Sequence, residues 1–163
     1  DQTIEFLLTR PITRSEIYGA KLGVIVINLI LLNSVVSVVL GITFAAFDTM
    51  NWTVWALYSV APLILHLIFA SVSLLISVFV TKSRTVTSMA LGLVVGLYVL
   101  DIISALTDSA ENLKYITPYE YVNAITIVNE GRLEPLYMAI SAGIIVTALL
   151  AGWGFYRKKD IAA

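Results

Sequence analysis

Few residues in this chain can do chemistry, and most of them sit in long apolar runs. His66 is the sole histidine, and there is no cysteine. A multi-histidine metal centre, a thiol nucleophile and a disulfide are therefore excluded. Hydroxyls are scattered through the apolar runs, but no second histidine or paired acid accompanies them. A nucleophile with a base and an orienting group cannot be assembled, which argues against intramembrane hydrolysis. Asp101 lies near the far end of an apolar run, where an ionisable side chain marks a functional position by default. The simpler reading is a helix that ends near Leu100 and leaves Asp101 in water. Between the two stands a helix broken there, with the following segment dipping back toward the bilayer. His66 follows Pro62 by four residues. The proline frees a carbonyl one turn back, and a polar ring can occupy that gap; a proton relay is the sharper alternative. Asn28 and Asn33 suit hydrogen bonds between helices, and equally the wall of a substrate path. Gly92-x-x-x-Gly96 and Gly19-x-x-x-Gly23 allow helices to approach closely.

The elements that carry these residues follow from composition. The chain has 163 residues, 59% of them hydrophobic and 13% charged, where a soluble domain carries roughly 25% charged residues. This is an integral membrane chain, and the fold class expected is all-α, a polytopic transmembrane helical bundle. Four runs reach the roughly 20 residues that a bilayer crossing requires: residues 22–47, 54–80, 86–106 and 136–156. Residues 1–21 precede this transmembrane domain of residues 22–163. A net charge of −1 leaves no footprint for nucleic acid. No Gly-x-x-x-x-Gly-Lys-Ser/Thr loop is present, so ATP is not bound in that manner. The chain opens on Asp1 without a signal sequence, and is read as the C-terminal part of a longer protein.

Basic residues set the orientation. If four spans alternate, Arg10, Arg14, Lys21, Lys82, Arg84, Arg157, Lys158 and Lys159 share one side, and Lys114 and Arg132 lie on the other. The basic side is expected to be the cytoplasm of a cell (plasma or inner) membrane, with both ends of the chain there. Trp52, Trp55 and Tyr58 form one aromatic belt, and Trp153 with Tyr156 the other. The short 81–85 turn predicts antiparallel neighbours on either side of it. The acidic outer segment 107–135 holds Thr117-Pro118-Tyr119-Glu120, a capping-box pattern with proline at the first helical position. It predicts a short helix with Val122, Ile125 and Val128 on one face, stopped by Gly131.

The N-terminal stretch is amphipathic, with Ile4, Leu7 and Leu8 beside Glu5 and Arg10, followed by a break at Pro11. Thr13-x-x-Glu16 is a capping box, so a helix starts at Arg14 and runs on into the first span. Such a segment lies along a membrane or a partner, and its rigid junction to a span can carry force inward. A plain surface anchor is the alternative.

This stretch, Thr3-Ile-Glu5-Phe-Leu-Leu-Thr-Arg-Pro11-Ile-Thr-Arg14-Ser-Glu16 followed by Lys21, resembles the cytoplasmic motif of ABC-2 type export permeases. Lys114-Tyr-Ile-Thr-Pro118-Tyr and Tyr156-Arg-Lys-Lys-Asp160 are similar to two further segments of that family. The resemblance covers essentially the whole chain. It implies spans three to six of a six-span permease, with the outer segment as a pair of short re-entrant helices. It also implies a separate ABC ATPase subunit carrying ATP and Mg, a second permease half, and a lipid bilayer around both. Glu5, Leu7, Leu8, Arg10, Pro11, Arg14 and Glu16 would contact the ATPase. Asn28, Asn33, His66 and Asp101 are candidates for the substrate path, and Gly92 and Gly96 for helix packing. The chain itself would hold no cofactor. Two other readings compete: a non-transporting anchor or assembly subunit, and an ion or proton pathway through Asp101 and His66.

Overall fold

The computed structural model describes residues 13–80 and 82–158, with only the backbone given for residues 108–111. Five α-helices follow in order: α1 (Arg14–Ala46), α2 (Trp52–Phe79), α3 (Ser83–Leu106), α4 (Ala124–Glu130) and α5 (Pro135–Lys158). Between α3 and α4 lie two 3-10 helices, Asp108–Tyr115 and Glu120–Val122. Helices α1, α2, α3 and α5 are each long and apolar enough to cross a membrane. Among the described residues there is no strand.

Helix α1 begins where its sequence dictates. The Glu16 amide donates to the Thr13 hydroxyl, and Glu16 Oε2 accepts from the Thr13 amide at 2.7 Å. Both halves of the capping box are formed, which satisfies two donors that a helix start leaves open. Thr13→Ala is expected to cost about 1 kcal/mol of local stability. Hydrogen exchange at the amides of the first turn would read it, and unchanged protection would show that packing alone sets the helix start.

Helix α2 is the hub, packing on α5, α1, α3 and α4. The reason is visible in its buried stripe of Ala61, Ile68, Ser71, Leu74 and Val78, which holds one face at helical spacing. Facing α5 buries only Ser141, Ala148 and Gly152, small residues that let backbones approach in a membrane, where apolar area alone drives no association. The α1–α2 hairpin is antiparallel and laddered. Asn33 Nδ2 donates to the Ser59 carbonyl at 2.7 Å, and the Trp55 indole donates back to the Ser37 carbonyl at 3.0 Å. A Cβ on Gly41 would lie 3.1 Å from the Trp55 indole nitrogen, so the glycine admits the ring. Most of α1 otherwise presents exposed apolar side chains, Val24, Leu31, Val35 and Ile42 among them.

The outer segment departs from expectation. No helix starts at Pro118. The Glu120 amide bonds the Thr117 carbonyl, the Thr117 hydroxyl donates to Asp101, and Glu120 Oε2 accepts from Asn123. Both partners of the anticipated box are thus engaged elsewhere. Asn123 caps α4 instead, accepting from the Ile125 amide at 2.8 Å. Ile125 and Val128 are exposed, and Ile127 is the residue α4 buries. Gly131 does end α4, at φ 61°, in the left-handed region where glycine is unstrained.

Candidate functional site

Two constellations lie at opposite ends of the bundle. At the basic end, the first turns of α1 are clamped to the last turns of α2 and α5. Tyr18 is buried against Leu74 and Val78, with Leu22, Ile25, Leu149 and Tyr156 around them. Its hydroxyl donates to the Leu149 carbonyl at 3.1 Å. A Cβ on Gly152 would meet that hydroxyl at 2.6 Å, so only glycine leaves room for the phenol. Lys21 Nζ stands 5.5 Å from the centre of the Tyr156 ring, and Arg157 lies over Trp153 at 4.7 Å. Arg14 donates to the Arg157 carbonyl at 3.4 Å. Of the residues expected to meet an ATPase, Arg14 and Glu16 therefore sit on the turn that carries this clamp. Glu5, Leu7, Leu8, Arg10 and Pro11 lie outside the described residues.

At the acidic end, the segment after α3 turns back along the helix it has just left. The Tyr119 hydroxyl donates to the Val94 carbonyl at 3.2 Å. Val94 lies twelve residues before the end of α3, about 18 Å along the axis at 1.5 Å per residue. The Tyr119 ring packs on Tyr98 and Phe69, with centroids 5.4 and 5.6 Å away. Thr117, fully buried, donates to Asp101 Oδ1 at 3.0 Å. Burial first, then the Asp101 charge and Tyr98, push the Tyr119 phenol above its ordinary value. Tyr121 stacks on Tyr137 at 5.2 Å and donates to the Tyr115 carbonyl. Tyr58 holds α4 through the Ala124 carbonyl at 3.3 Å. An open hollow of about 470 Å³ is lined by Lys114, Tyr115, Glu120, Glu130, Glu134 and Tyr137, among others.

The remaining candidates fall apart in space. Helix α3 continues past Leu100 to Leu106, and Asp101 is half-buried and latched to Thr117. His66 Nδ1 is buried and makes no hydrogen bond. Asn33 uses its amide nitrogen between α1 and α2 and leaves Oδ1 unbonded, while Asn28 is exposed on α1. A Cβ on Gly92, Gly96, Gly19 or Gly23 would meet nothing within 4 Å; among the described residues these positions bring no helix close. Sequence reasoning passed over Tyr18, Gly152 and Tyr119. Tyr119 alone carried a signal, as the aromatic residue after Pro118 in a segment already singled out.

Comparison with protein families matches residues 1–161 to the ABC-2 family transporter protein family. The chain belongs to that family, and with its four apolar helices it is a multi-pass membrane component of an ABC transporter. Comparisons with curated proteins and with solved structures gave no match.

Proposed function

We propose that this chain forms the last four spans of the permease of an ATP-driven ABC-2 exporter. A separate ATPase docks at the basic end, on the cytoplasmic side of the cell membrane, and a second permease half completes the path. The observation that carries this reading is the clamp. The N-terminal motif runs into a capped helix whose second turn is wedged, through Tyr18, between the ends of α2 and α5. A push delivered to Thr13 passes into α1, because the capping box ties Thr13 to the first turn of that helix. It reaches α2, and α2 contacts every other long helix. The excess of basic residues at that end supports the assigned sidedness.

The test is uncoupling. Glu5→Ala and Arg14→Ala, each in the full permease reconstituted with its ATPase, are expected to lower substrate moved per ATP hydrolysed. A coupling free energy of ordinary size corresponds to roughly five-fold or more, with membrane insertion unchanged. Wild-type stoichiometry in both variants would overturn the reading.

A further inference from the structure

The ends of α2 and α5 part at the basic rim and leave a groove of about 290 Å³, lined by Val78, Phe79, Phe155 and Lys158. Its walls are apolar, and the rings of Phe79 and Phe155 meet edge-to-face with centroids 5.0 Å apart. Both rings are more than half exposed, and they stand on the last turns of spans, where acyl chains give way to headgroups. Lys158 closes the groove on the polar side. Lys82, exposed at the start of α3, follows Phe79 by three residues, and exposed Arg84 comes two later. Among the described residues the acid at this end is Glu16, and it is spent on the Thr13 amide. An apolar slot closed by a lysine, beside a helix start that carries Lys82 and Arg84, matches one kind of molecule, with a negative head and a greasy tail.

We propose that this groove binds an anionic phospholipid, with an acyl chain along Phe79 and Phe155 and the phosphate on Lys158 and Lys82. A volume near the lower bound of small-molecule sites suits a single chain. The groove also has a back wall shared with the clamp. Val78 lines the groove and packs against Tyr18, so the lipid rests on the same residue that carries the α1 wedge. The proposal is independent of export and of which side the basic end faces.

Native mass spectrometry of the full permease with its ATPase, offered equal phosphatidylglycerol and phosphatidylcholine, tests it. The wild type should retain phosphatidylglycerol preferentially, and each lost cation should weaken that preference roughly five-fold. Lys82→Gln with Lys158→Gln should abolish it. Lys82→Arg with Lys158→Arg should preserve it, and Phe155→Ala should lower retention of both lipids. Equal retention of the two lipids by the wild type overturns the proposal. So does loss of preference in the double arginine variant, or an equal loss in Lys114→Gln at the acidic end.

Discussion

Gly152→Ala is expected to lower the thermal stability of the purified permease by roughly 1–3 kcal/mol, the cost of forcing an atom into a packed site. The new Cβ would lie 2.6 Å from the Tyr18 hydroxyl. That hydroxyl is the far end of its side chain, but it is held on the Leu149 carbonyl and its ring is walled by Leu74 and Val78. It cannot swing aside without leaving both. Tyr18→Phe removes the clashing oxygen and leaves the nearest ring carbon at 3.4 Å, an ordinary contact. Alone, that variant loses one hydrogen bond, worth about 1 kcal/mol. Combined with Gly152→Ala it should recover most of the glycine variant's loss, a non-additive pair. A melting series of the four proteins decides. Strict additivity would mean that the two residues do not meet, and the clamp would fail as the junction between α1 and α5.

A second large effect is expected at the other end. Asp101→Val should strand the Thr117 hydroxyl, which is fully buried and donates to that carboxylate. An unsatisfied buried donor costs about 1–3 kcal/mol. The loss should be local, raising hydrogen exchange across residues 115–123 while α2 and α5 keep their protection. Asp101→Asn retains an acceptor oxygen and should be milder. Adding Thr117→Val to Asp101→Val removes both polar partners together and should restore much of the protection, because an apolar pair carries no desolvation debt. If exchange in Asp101→Val matches the wild type, Tyr119 on Val94 holds the returning segment without help.

What the sequence made legible was local. The capping box at Thr13 needs only residues within one turn, and it formed as written. The four spans emerged from apolar length, and their helices begin and end within a few residues of the expected limits apart from α1, whose start at Arg14 was itself expected. The same box pattern at Thr117 failed because its competitor, Asp101, lies sixteen residues away in sequence and is adjacent only after folding. Gly152 is an unremarkable glycine until Tyr18, more than a hundred residues earlier, arrives opposite it. Spacing rules of the small-xxx-small kind nominated Gly92 and Gly96, where the chain itself places nothing, and passed over the glycine on which a contact depends. Pairings across helices are set by which faces meet, and one chain's periodicity does not encode that.

Ser34, Ser59, Ser71, Ser104, Ser141 and Thr147 each give their hydroxyl proton to a carbonyl one turn back in their own helix. Such an oxygen has nothing left to give and can only receive. Buried Ser71, Ser104 and Ser141 therefore bring no stranded donor into the packing, and exposed Ser34 and Thr147 face outward with their protons already engaged.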